Sequence, residues 1–275
     1  MEPCRVLAVT GGHSFDLDAF RSMLTEICDP RGWVWAHAVQ PSAQQWFDAD
    51  HADQWDAIVC HDVPGLSLKR GEPPQPVGPT DEQKQAITSL LDAGQGMVIT
   101  HHALAGWPAW DGWATAIGGR FNYAPGPLHG RDWPSSGTRI ETYTANVVNP
   151  THPVCEDVDD FTFTDELYCC PMLEERVVPL LRSDADFDPS LFISTYEHVM
   201  VGEEAAPKTV GHPQPSNLIA WATVGGRSPI VYIQPGDSAT TFSIPQYRRL
   251  LANAIAWVAS PAAHEWASAN PVSIH

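Results

Sequence analysis

The sequence predicts an α/β fold, a doubly wound parallel sheet with helices on both faces. Three observations carry this prediction. Short, largely apolar runs recur at Val6–Thr10, Ala57–Cys60 and Met97–Thr100, as expected of central parallel strands buried on both faces. Amphipathic helical patterns separate them, and strand-helix alternation implies right-handed parallel crossovers. Finally, histidines and carboxylates follow the runs directly, where open α/β sheets bind their ligands.

The first run leads through Gly11-Gly12-His13 into a helix-like pattern over residues 15–28, with Asp16 and Asp18 near its start. Acids there suit the positive end of a helix dipole. Residues 33–38 read as a second strand and 57–60 as a third, ending in His61-Asp62. Residues 65–79 are rich in proline and glycine and form an irregular loop. Thr80 and Gln83 match the two bonding roles of a capping box, opening a helix that runs to about Ala93 and is stopped by Gly94. Met97–Thr100 is the fourth strand.

The rhythm is lost over about residues 121–209, read as an inserted β-rich region laid over the ligand end of the sheet. It has strand-like pieces at 139–144, 177–181 and 191–196. It returns with strands at 218–224 and 230–234, a hairpin around Gly225-Gly226-Arg227, and a last helix over 245–259. There Tyr247, Leu250, Leu251, Ala254, Ile255 and Val258 share one face. The domain prediction is one α/β unit over residues 1–260 and a loosely held tail over 261–275.

Net charge is −18, from 33 acids against 15 bases. That disfavours nucleic acid, anionic membranes and highly anionic substrates. No apolar run approaches the roughly 18–20 residues of a membrane span, and the first residues do not read as a secretory signal, so a cytoplasmic location is expected. The six cysteines show no CxxC spacing and read as reduced thiols. Homo-oligomerisation is the default expectation.

The chemistry-bearing groups lie past the strands: His13 with Asp16, His61 with Asp62, the pair His101-His102, and Asp237-Ser238. Asp165-Glu166, His129, His152 and Glu197-His198 come from the middle region. Two readings stay open. Imidazoles and carboxylates suit a divalent metal such as zinc or manganese, with His13, His101, His102 and Glu166 as ligands and His61, Asp165 and His198 as further candidates. The same groups suit metal-free acid/base work. No Gly-x-Ser-x-Gly or Gly-x-Cys-x-Gly occurs, so triad acyl transfer is disfavoured. No P-loop or GxGxxG pattern occurs, so no nucleotide cofactor is expected. Trp107, Trp110, Trp113, Phe121, Tyr123 and Trp133 crowd one stretch. Aromatic faces beside polar groups suit sugars, and Trp107 is expected to face the cleft, while Trp110 and Trp113 read as core.

Four motifs stand in a specific order: Gly11-Gly12-His13; His101-His102-Ala103 with Gly106-Trp107-Pro108; Asp165-Glu166-Leu167-Tyr168; and Tyr247 to Trp257. Together they resemble the trehalose-utilisation ThuA-like family, over about Arg5 to Ala259. The resemblance implies a flavodoxin-like sheet similar to class I glutamine amidotransferases, with the His101-His102 turn in place of the amidotransferase nucleophile. It also implies a role in sugar metabolism on glycosides or oxidised 3-keto sugars. Two departures stand out: Ser14-Phe15-Asp16 where members often carry further histidines, and Gly236-Asp237 where members often have Gly-His.

The expected activity is a lyase, hydrolase or isomerase step on a small carbohydrate. His102 or His101 is the base, Glu166 the acid and Asp165 the second carboxylate. His13, His61, Trp107, Tyr168 and Asp237 bind substrate, with His13 and Asp237 metal-binding or orienting. The rivals are a non-catalytic sugar-binding protein and an accessory subunit of a sugar dehydrogenase system.

Overall fold

A computed structural model describes residues 3–206, 211–213 and 215–274. Its strands are β1 (Arg5–Gly11), β2 (Val34–Val39), β3 (Ala57–Asp62), β4 (Leu66–Ser67), β5 (Gln75–Pro76), β6 (Met97–Thr100) and β7 (Gly126–Leu128). They continue as β8 (Arg131–Trp133), β9 (Gly137–Val147), β10 (Phe161–Cys169), β11 (Val178–Ser183), β12 (Ile193–Ser194), β13 (Leu218–Gly225) and β14 (Ser228–Ile233). The helices are α1 (Leu17–Cys28), α2 (Asp81–Asp92), α3 (Asp111–Ile117), α4 (Thr195–Val201), α5 (Ala239–Phe242), α6 (Pro245–Val258) and α7 (Pro261–Ala269).

Ten strands form one sheet in the order β10-β9-β11-β13-β14-β6-β3-β1-β2, with β12 paired to β9. From β2 to β14 the pairings are parallel. From β14 to β10 they are antiparallel. The sheet therefore has a parallel half and an antiparallel half.

Side-chain alternation feeds a core on each face. Val6, Ala8, Ala57 and Val59 join Phe20, Met23 and Leu24 of α1 and Leu250, Leu251 and Ile255 of α6. Leu7, Val9, Ile58, Met97 and Ile99 join Ile87, Leu90 and Leu91 of α2 and Trp113 and Ile117 of α3. The fold is doubly wound because both faces of each central strand are covered.

Local sequence explains the helix ends. Asp16 caps α1 by accepting the Ala19 N–H at 2.9 Å. Thr80 and Gln83 form the reciprocal capping box of α2. Pro245 opens α6, and the predicted apolar face of this helix is buried throughout.

Several elements differ from expectation. The middle of the chain extends the main sheet in its own plane through β9, β10 and β11; loops and α4 supply what lies by the ligand end. Its predicted end, Thr209, lies outside the described residues. The strand expected over 191–196 stops at Ser194, whose hydroxyl accepts the Glu197 N–H at 3.4 Å and starts α4. Strand β3 continues through His61 and Asp62. The expected loose tail is instead helix α7, capped by Ser260 and buried at Ala263 and Ala267, with Val272 bridged to Gly226. Among the described residues, no helix is long and apolar enough to cross a membrane.

Candidate functional site

The chain leaves β6 at Thr100 and turns at His101, whose φ of 46° lies in the left-handed region. This turn aims the His101 ring between the two halves of the sheet. His101 Nδ1 lies 2.7 Å from the Gln234 carbonyl oxygen. A carbonyl only accepts, so Nδ1 carries the proton and the ring orientation is fixed. Nε2 lies 2.7 Å from the Tyr168 hydroxyl and 3.4 Å from both Glu166 Oε2 and Asp237 Oδ1. Burial opposes a charge on this ring, but hydrogen bonds and charge from Asp237 and Glu166 outweigh it and raise the pKa to about 10. The hydrogen bond to His101 in turn holds the Asp237 carboxyl below its usual range. His101 is therefore an imidazolium at neutral pH, beside an ionised Asp237.

Strand β10 supplies the other wall. Alternation along it sends Phe161, Phe163, Asp165 and Leu167 to one face and Glu166 and Tyr168 to the other. The adjacent acids therefore cannot share a pocket. Asp165 is 2 % exposed and accepts from Gly236 N at 2.8 Å, Thr241 Oγ1 at 2.7 Å and Glu166 N at 2.9 Å. Burial nonetheless raises its pKa. It is a bracket: it holds the Pro235-Gly236-Asp237 turn from behind, so that Asp237 meets Glu166 across His101. Gly236 has φ 134°, and a Cβ there would come within 2.8 Å of the Tyr247 hydroxyl, so this close approach requires glycine.

Gly12 likewise allows the first turn, since a Cβ there would lie 2.3 Å from the Val63 carbonyl oxygen. His13 follows, half-buried, with Nδ1 2.9 Å from its neighbour's carbonyl at Ser14. Nδ1 thus carries the proton and Nε2 keeps its lone pair. Burial lowers the pKa of His13, which favours the neutral ring.

Behind His13 pack two further, tilted rings, His102 at 4.6 Å and then His61 at 4.2 Å from His102. His102 Nε2 lies 3.2 Å from the His61 carbonyl and His61 Nδ1 2.8 Å from Thr100 Oγ1. Burial drives both pKa values well down, so both rings are neutral. Phe15 and Phe20 enclose His61 at 4.5 and 4.8 Å. The histidine pair at the end of β6 is thus divided, with His101 facing the pocket and His102 supporting the ring of His13. Asp62, at the end of β3, is also buried; it accepts from Gln40 Nε2 at 2.7 Å, and burial pushes its pKa up to about 7.

The pocket has a volume of about 240 Å³. The structure brings together His13, Glu166, Tyr168 and Asp237 on its wall, with His101 beneath them. It leaves His61, His102 and Asp165 buried outside it. Trp107, expected to face the cleft, is instead 6 % exposed and packed in the core beside Gly65. Phe121 and Tyr123 line the pocket in its place, together with Thr138, Thr195 and His198. Neither Thr138 nor Thr195 stood out in the sequence. Thr138 lies on β9 directly opposite Tyr168 of β10, and Thr195 opens α4, which the pairing of β12 with Gly137 and Thr138 brings alongside.

Among the described residues, the group able to hold a metal is His101, Glu166 and Asp237, whose ligating atoms all lie within 4.8 Å of one another. It keeps His101 and Glu166 of the expected ligand set, includes Asp237, expected as a metal-binding or orienting group, and leaves out His13 and His102. The donors fit a divalent ion: one imidazole with its far nitrogen tied to a carbonyl, and two carboxylates.

No curated protein sequence matches the chain. Its fold is shared by solved structures, among them the following two. A putative ThuA-like protein from Parabacteroides merdae ATCC 43184 aligns with a TM-score of 0.63 at 16 % identity, covering 94 % of this chain and 91 % of that one. One from Bacteroides uniformis ATCC 8492 aligns with a TM-score of 0.63 at 16 % identity, over 93 % and 91 % of the two chains. The match that reaches beyond fold spans residues 5–258 and covers both halves of the sheet and every pocket residue named above: the chain belongs to the ThuA family, described as trehalose utilisation.

Proposed function

We propose that the protein cleaves a 3-keto sugar glycoside by acid/base chemistry in this pocket. The observation that carries the reading is His101 Nε2 placed 2.7 Å from Tyr168 Oη and 3.4 Å from each of two carboxylates. The volume of about 240 Å³ lies below the roughly 300–1,000 Å³ of drug-sized ligand sites and suits one sugar ring.

A 3-keto group acidifies the C2–H bond. Glu166 takes that proton, and charge develops on the keto oxygen. Tyr168, kept a phenol by burial, donates its O–H to this oxygen. Charged His101 donates Nε2–H to Tyr168 Oη, so the positive charge sits behind the donor where negative charge grows. The C1–O bond then breaks, and Glu166 returns its proton to the departing oxygen. The products are an unsaturated 3-keto sugar and a free alcohol. Asp237 keeps His101 charged, and the His13 Nε2 lone pair accepts from a ring hydroxyl. These roles differ from the sequence-based expectation, since a charged His101 is no base and His102 does not reach the pocket.

A second reading uses the metal-holding group. A divalent ion on His101, Glu166 and Asp237 would act as a Lewis acid toward the keto oxygen. The tether from His101 Nδ1 to Gln234 favours it, because metal-bound histidines carry such a tether.

The test is NMR-monitored incubation with 3-keto-trehalose and a 3-keto-glucoside, with and without added zinc or manganese, alongside elemental analysis of the purified protein. New sugar signals that Glu166→Gln abolishes support the reading, and metal dependence selects the second form. Unchanged sugars whose signals broaden on adding protein would replace it with a sugar-binding role.

A further inference from the structure

Beside the pocket lies a second, larger space of about 600 Å³. The two share Leu68, His198 and Val199 as a common wall. The loop around β4 forms one side of the groove and the end of α4 the other. They are tied together, since Gly71 N–H donates to the Val199 carbonyl at 2.9 Å. Arg70 crosses the gap: a Cβ on Gly202 would lie 2.9 Å from its Nη2. In a chain with 33 acids against 15 bases, Arg70 makes no ion pair with any described residue.

We infer that this groove is a second subsite, holding a neutral sugar ring joined to the ring in the pocket. The inference rests on reading the pocket as a sugar site. Three features select the occupant. The shared lining of Leu68, His198 and Val199 sets the groove directly beside the pocket, so the second ring of a ligand held in the pocket falls within its reach. Leu68, Val199 and Val201 offer an apolar surface while Arg70 offers donors and Glu203 offers an acceptor; a sugar ring needs both. Glu203 and Glu204 stand in the same groove as Arg70, which disfavours a phosphate or carboxylate there.

The residues that would set preference for the second ring are therefore Arg70 and Val201, neither of which lines the pocket. The test compares binding of methyl α-glucoside and trehalose to the wild type, Arg70→Ala and Val201→Trp, by calorimetry and saturation-transfer NMR. The expected result is trehalose bound about tenfold tighter than methyl α-glucoside, with both of its rings saturated. Each variant removes that advantage and leaves methyl α-glucoside unchanged. Both side chains are exposed, so each variant is expected to fold. Equal affinity for the two sugars, insensitive to either variant, overturns the subsite and leaves the pocket reading standing. Tighter, Arg70-dependent binding of trehalose 6-phosphate overturns the neutral ring in favour of an anion. Binding of neither sugar overturns the subsite, while the pocket reading stands or falls separately on the turnover of 3-keto-trehalose.

Discussion

The parallel strands β1, β6 and β14 deliver their pocket residues past their carboxyl ends, as His13, His101 and Asp237. The antiparallel strand β10 delivers Glu166 and Tyr168 from within its length. In the parallel half, position along the chain decides what reaches the ligand. In the antiparallel half, side-chain parity decides it: Asp165 and Glu166 are neighbours, yet one braces the fold from behind and the other faces the pocket. A site between two such halves joins residues chosen by different rules, and each half can be perturbed separately.

The largest expected effect separates chemistry from support. Glu166→Gln should lower turnover of 3-keto-trehalose by about 10²–10⁴-fold, the range for a lost proton-transfer group. Asp237→Asn, from the parallel half, should cost about tenfold, because it only helps to hold the charge on His101. A larger loss in Asp237→Asn than in Glu166→Gln would move the chemistry to the parallel half.

The next effect is on stability, and it inverts the roles of the adjacent acids. Asp165→Ala strands the Gly236 N–H and the Thr241 hydroxyl, both buried, and should cost about 2–4 kcal/mol in denaturant unfolding. Glu166→Ala should stay within about 0.5 kcal/mol of wild type. Equal losses would mean that the two faces of β10 are not specialised.

The smallest effect lies in the parallel half, which buries titrating groups of opposite sense. His61 and His102 have depressed pKa values, so the unfolded chain binds protons that the folded one does not. Their contribution is complete above the ordinary histidine value of 6.5 and is lost as pH falls below it. Asp62, raised from 3.8 to about 7, acts oppositely: the folded chain binds its proton first, so stability grows as pH falls through 7. Asp62→Asn removes that compensation. Its unfolding free energy should decline more steeply than wild type below pH 7, by about 1.4 kcal/mol per pH unit. Parallel pH profiles would show that Asp62 is not the compensating group.

The same division explains what could be read in advance. His13, His101 and Asp237 were legible because an apolar run followed by a polar turn is a local signal. Glu166 and Tyr168 are legible as chemistry-bearing residue types, but no short apolar run announces their strand. The alternation Phe161-Thr162-Phe163-Thr164 was the available clue, and it also assigns Asp165 and Glu166 to opposite faces. The burial of Trp107 was not legible, since it depends on Gly65 approaching its ring from a loop about forty residues earlier in sequence. The in-plane course of β9 to β11 depends on long-range pairing that short runs do not encode.

The backbone of His101 carries an evolutionary consequence. Its φ of 46° costs a residue with a Cβ about 1–2 kcal/mol, a cost that glycine escapes. Glycine at this position also lacks the imidazole that joins Glu166, Tyr168 and Asp237 beneath the pocket. Selection for an easily built turn and selection for the reaction therefore pull position 101 in opposite directions. A lineage that kept this fold but abandoned its chemistry would be expected to show glycine or asparagine here before it lost any strand of the sheet.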